Sequence, residues 1–110
     1  MTDAERTQIE KELKAFIDGD GRVTCLPAKF KKQLMAYYWI ASQLKEDGAW
    51  NERELNAALN GLHTFGDPAV IRRTLYDLGV LDRDPRGTRY TVAAPFPTLD
   101  EFLARGMQGY

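Results

Sequence analysis

The stretch Ile71–Tyr90, IRRTLYDLGVLDRDPRGTRY, decides the architecture. Ile71, Leu75 and Leu78 recur at helical spacing, so its first half is a helix with one apolar face. Gly79 supplies a left-handed stop, and Val80 can fold back in a Schellman contact. Val80–Arg83 and Thr88–Val92 are β-prone runs joined by Asp84-Pro85-Arg86-Gly87. Pro at the second position and Gly at the fourth suit a type I turn that opens a hairpin. Just upstream, Asp67-Pro68 sets an N-cap before a proline at the first helical position, so the helix begins there.

Working outward, a first helix is predicted from Asp3 to about Asp18. Thr2 and Glu5 form its capping box, and Ile9, Leu13, Phe16 and Ile17 its apolar stripe. It stops at the turn Asp18–Gly21, DGDG. A calcium loop is excluded there, because with Gly21 as its invariant glycine acids would be needed where Phe16 and Pro27 stand. Arg22–Leu26, RVTCL, is a short β-prone segment. From Lys29 to about Lys45 runs a helix apolar almost all round, so it is either the centre of a small bundle or has one face on a partner. Past the turn at Asp47-Gly48, Asn51 caps the next helix, Glu54 completes a capping box, and Trp50 can staple onto Leu55. Leu55, Ala58, Leu59 and Leu62 are its buried face, and Asn60-Gly61 ends it. Beyond the hairpin, Pro95 and Pro97 break the pattern. Thr98 and Glu101 then cap a terminal helix of about 98–105, which carries Leu99, Phe102 and Leu103 and stops at Gly106. The predicted class is α+β, a winged helix (three-helix core plus β-hairpin wing) with an extra helix at each end. A chain of 110 residues makes this one domain, long enough to bury a single core.

Charge narrows the functional classes. The net charge is −1, so the molecule as a whole is not a general polyanion binder. Pro68–Val92 holds five arginines against three acids, +2, which leaves −3 for the rest of the chain. That polarity has the sign of a DNA-facing edge. A single cysteine, Cys25, excludes an internal disulfide and fits a reducing, cytoplasmic setting. The N-terminus lacks an apolar signal core, and the longest apolar run, Leu34–Ala41, is too short to span a bilayer.

The segments GRVTCLPAKFKKQL, NERELNAAL and IRRTLYDLGVLDR, with Gly87 and Tyr90 after them, resemble a small bacterial domain-of-unknown-function family. That family is found alone or appended to transcriptional regulators. The resemblance spans about Leu13–Val92 and leaves the terminal helix outside. It implies a winged-helix-like fold, a role near transcription and no catalytic residues. Where such a domain is appended to a separate DNA-binding domain, it implies a sensor or dimerisation module instead.

With Ile71 at the centre of the buried face, Ala69, Arg72, Arg73 and Tyr76 fall on the solvent arc and Asp77 at its edge. In a winged helix this is the recognition helix, whose N-terminal half enters the major groove. Arg72 and Arg73 then reach guanine edges or phosphates, and Tyr76 a sugar-phosphate oxygen. The competing reading pairs Arg73 with Asp77 and lays Arg72 on Tyr76. Arg83, Arg86 and Arg89 are the wing's candidates, or they merely keep an edge soluble. Lys31 and Lys32, with Lys29, oppose the dipole of their own helix, which phosphate contact would explain; a solvated face is the alternative.

His63 and Cys25 each lack a metal partner of the usual kind, and VTCLP reads as a buried, inert thiol. No phosphate loop, serine elbow or carboxylate pair is present, so neither an enzyme nor a cofactor is expected. The expected partner is double-stranded DNA, bound by a homodimer. The alternative is an interaction or sensor module whose surface is Tyr37, Tyr38 and Trp39 with Phe96 and Phe102.

Overall fold

The computed structural model describes residues 1–108. Among them are α1 (Asp3–Glu12), a 3₁₀ turn (Lys14–Phe16), α2 (Phe30–Ser42), β1 (Ala49–Trp50), α3 (Glu52–Asn60), α4 (Pro68–Asp77), β2 (Leu81–Arg83), β3 (Tyr90–Val92) and α5 (Leu99–Met107). The class is α+β, five α-helices and a small antiparallel sheet of order β1-β3-β2.

The helix starts lie where local chemistry puts them. Thr2 with Glu5, Asn51 with Glu54 and Thr98 with Glu101 each form a reciprocal capping box. These side chains satisfy amide donors that the first turn of a helix leaves without partners. At the end of α4, Gly79 adopts φ +78°, and the amides of Val80 and Gly79 return to the carbonyls of Leu75 and Tyr76. That is the Schellman stop. From α5, Arg105 adds a further bond, donating from Nη1 to the Leu78 carbonyl at 2.9 Å.

Helix α1 ends at Glu12 rather than Asp18 because the following residues pair across the DGDG turn. The Thr24 amide donates to Phe16, the Asp18 amide donates to Arg22, and Ile17 bridges Val23. The predicted RVTCL strand is reduced to isolated bridges, from Val23 to Ile17 and to His63. Cys25 is exposed, not buried. Helix α2 stops at Ser42, short of Lys45. Helix α5 continues through Gly106, which is buried against Leu34. Strand β1 was not expected. It aligns Ala49 with Thr91 and Trp50 with Tyr90, and so carries the hairpin sheet back to the start of α3.

Apart from Phe30 at its start, most of the apolar girth of α2 is consumed inside the molecule. Tyr38 is fully buried between Phe96 and Phe102, with ring centroids 5.3 and 5.2 Å away. Its hydroxyl donates to the Pro97 carbonyl at 2.8 Å. Burial first, then the Glu5 and Glu101 carboxylates, push that hydroxyl's pKa up to about 12. Trp39 is also buried, with Nε1 donating to the Gly21 carbonyl at 2.8 Å and Arg6 stacked on its ring. Of the aromatic surface that the alternative reading proposed, Tyr38, Trp39 and Phe102 belong to the monomer's own core, closed by α5 folding back, while Tyr37 and Phe96 are half-buried against it. The two ends of the chain meet where the Glu5 carboxylate accepts the backbone N–H of Leu99. No helix among the described residues is long and apolar enough to cross a membrane.

Candidate nucleic-acid interface

Helix α4 is held from below and at both ends. Ile71, Leu75 and Leu78 are buried, and Asp67 accepts the Ala69 amide at 2.8 Å. Before it, His63 fastens the turn from α3. Its Nδ1 lies 2.7 Å from the Leu59 carbonyl oxygen and its Nε2 2.9 Å from that of Gly66, with the ring buried edge-on to Phe65. What α4 shows outward is thus fixed in angle. Val70, Arg73, Tyr76 and Asp77 are exposed and Ala69 is half-buried.

Arg72 departs from its predicted place. Only 14% of its side chain is exposed, and it lies on the flank of the helix rather than its crest. It donates to Asn56 Oδ1 at 2.5 Å, pairs with Glu52 at 3.1 Å, and lies over the Tyr90 ring. It thereby binds α4 to α3 and to β3, and its hydrogen-bonding capacity is turned inward. Nor does it stack on Tyr76. That ring is covered instead by Arg83 of β2, 4.5 Å from its centroid. The Tyr90 hydroxyl, and Tyr76 after it, raise the pKa of Arg83 above its ordinary value.

Arg73, Arg86 and Arg89 are exposed, and no ion pair engages them among the described residues. The Arg73–Asp77 pair of the competing reading does not form. At the wing tip the Gly87 amide donates to the Asp84 carbonyl at 2.9 Å, with Gly87 at φ +69°. The Asp84 carboxylate accepts from the Thr88 hydroxyl and amide, each at 2.7 Å, and from the Arg89 amide at 3.1 Å. Those bonds, the hydroxyl's foremost, hold Asp84 below the usual carboxylate range. Its charge is spent on the turn, not on the neighbouring guanidinium groups.

Between α4 and the hairpin lies a cleft of about 460 Å³, lined by Val70, Arg72, Arg73, Tyr76, Arg83 and Tyr90 among others. It gathers four of the predicted residues: Arg72, Arg73, Tyr76 and Arg83. Arg86 and Arg89 stand outside it toward the tip. The lysines are not brought to it. Lys31 and Lys32 line a separate hollow of about 200 Å³ with Gln8, Glu12 and Met35, and Lys32 lies 3.8 Å from Glu12. Val70 was missed in the sequence: it lies 100° from Ile71 on the side away from Arg72, 60° from Arg73, and is exposed. No group of His, Cys, Asp and Glu able to hold a metal ion occurs among the described residues.

No curated protein and no solved structure matches this chain. A family model described as an uncharacterised protein conserved in bacteria (DUF2087) matches residues 22–92, which takes in α2, α3, α4 and the whole sheet. With well over half of its length so matched, the chain belongs to this bacterial DUF2087 family.

Proposed function

We propose that the protein is a cytoplasmic DNA-binding transcriptional regulator of the winged-helix type, acting on double-stranded DNA as a homodimer. Supporting the fold reading are α2, α3 and α4 followed by the β2–β3 hairpin, with β1 entering between the first two of those helices to pair with β3. On this reading α4 is the recognition helix and the β2–β3 turn is the wing. One observation carries the functional reading: of the seven arginines that no ion pair engages among the described residues, four, Arg73, Arg83, Arg86 and Arg89, lie along α4 and the hairpin. Unneutralised guanidinium groups on one edge are what phosphate contact requires. Arg73 faces the groove, Tyr76 and Arg83 follow the backbone together, and Arg86 and Arg89 reach phosphates flanking the site.

The test is duplex binding by the full chain across a salt series. Affinity is expected to fall steeply and linearly on logarithmic axes, and Arg86→Ala to lower the slope by about one. Absence of binding below ~100 μM at physiological salt would be weaker than nonspecific binding and would reject the proposal.

A second reading, an interaction or dimerisation module, is favoured by a different surface from the one expected. Phe30 and Met107 are 46% and 56% exposed. Gly106 packs on Leu34, one turn from Phe30, which brings the two side chains to the same end of the α2–α5 pair. Light scattering at micromolar concentration separates the cases. A dimer that Phe30→Ser dissociates, with no duplex binding, favours the module.

A further inference from the structure

Val70 is the most exposed large hydrophobic side chain among the described residues, at 58%. A β-branched residue is a mediocre helix former, and an exposed one recovers little through burial. Its presence on the exposed flank of α4, opposite Arg72, is not explained by folding. Three residues on stands Arg73, so the two side chains are neighbours on one face of the helix. Arg73 has no ion pair among the described residues, and Thr74 turns its hydroxyl back to the Val70 carbonyl at 2.9 Å. The outward surface at this point is therefore a pair of methyl groups beside an uncommitted guanidinium.

That pair complements two features of the major groove. The C5-methyl of thymine accepts apolar contact, and the O6 and N7 atoms of guanine accept a bidentate arginine. Resting on the DNA-binding reading above, the geometry points to Val70 as the residue that reads a thymine methyl, with Arg73 reading a guanine within two base pairs of it. Three helical residues rise about 4.5 Å, against about 3.4 Å per base pair, which sets that spacing. Arg72 is not the guanine reader, because its two terminal nitrogens are engaged by Asn56 and Glu52 and only 14% of its side chain is exposed. Val70 and Arg73 thus set specificity at base pairs no more than two apart, and the wing arginines add affinity that is indifferent to sequence.

The test is selection of bound duplexes from a random library by the full chain. The selected thymines are then replaced, one at a time, by uracil, which removes the methyl group and leaves the protein untouched. The selected site is expected to contain thymine within two base pairs of guanine. Uracil at that thymine should weaken wild-type binding by about threefold to fivefold, the worth of one buried methyl group. Val70→Ala, which should keep its melting temperature, is expected to bind thymine and uracil duplexes alike. Arg73→Ala should lose the guanine preference and retain sensitivity to uracil. A uracil effect of equal size in wild type and Val70→Ala overturns the inference. Salt-dependent binding without any selected sequence also overturns it while leaving the DNA-binding reading in place. Absence of duplex binding at low salt overturns both.

Discussion

The Arg72 guanidinium lies over the Tyr90 ring, 5.7 Å from its centroid, so the neighbour of the outward-facing Arg73 is fastened to the central strand of the sheet. Adjacent arginines thus have opposite roles. Arg72→Ala leaves Asn56 without its donor and is expected to cost about 1–2 kcal/mol, most of it from the charged hydrogen bond. The Glu52 pair adds little, since that carboxylate is 60% exposed. Arg73→Ala is expected to stay within about 0.5 kcal/mol of wild type. Urea denaturation of the two single variants checks this. Equal midpoints would show that the Arg72 network contributes nothing to stability.

Gly106→Ala offers a second measurement. A Cβ there would stand 2.7 and 2.8 Å from the two Cδ atoms of Leu34, a residue only 1% exposed and so with little room to yield. Overpacking costs about 1–3 kcal/mol, against about 1 kcal/mol gained in helix propensity. A net loss is expected, and Leu34→Val in the same chain should relieve part of it through coupling of the pair. A Gly106→Ala variant that melts above wild type would mean that the α2–α5 contact is looser than described.

Acid should unfold the protein by a route that names its groups. The Arg22 amide lowers the Asp18 pKa, the Thr88 hydroxyl that of Asp84, and the Thr98 amide that of Glu101. Glu5 is raised by burial, but the amides of Leu99 and Thr2 and the Thr2 hydroxyl outweigh this and leave it lowered. In each case the unfolded chain binds the proton more tightly. The stabilisation is complete above the ordinary carboxylate range of about 4 and is lost as pH falls through the lower folded values. Melting temperature should therefore decline from about pH 5 downward. Asp84→Asn and Glu5→Gln should each flatten that decline, and an acid slope unchanged in both would rule these groups out.

Features that depend on a few adjacent residues were legible in the chain. The three capping boxes, the Asp67-Pro68 start and the Gly79 stop each need only a side chain and the backbone within one turn. Features that depend on distant partners were not. Strand β1 exists because Trp50 meets Tyr90, forty residues away, and nothing in Ala49-Trp50 itself announces a strand. Conversely, RVTCL has strand composition and only one residue, Val23, that finds bridge partners. Within the candidate site the helical wheel located the outward arc and misjudged its edges. Arg72 sits 100° from Ile71, near enough to α3 for Glu52 and Asn56, and to the sheet for Tyr90, to capture it. The acid that claims it lies on another helix, and a wheel of α4 alone cannot reveal that.

The segment shared with the family begins at Arg22 and ends at Val92, yet the interior does not respect those limits. Ile9 and Leu13 from one flank, and Leu99 and Phe102 from the other, are among the most deeply buried side chains, and Glu5 joins the flanks to each other. The inherited unit is thus smaller than the cooperative one. Cut at its sequence borders, the shared piece would present Tyr38 and its neighbours bare to water, an invitation to self-association. A protein that carries this segment within a longer chain has to roof the same face with other polypeptide. What takes the place of α1 and α5 there would decide how rigidly the segment is mounted on its host.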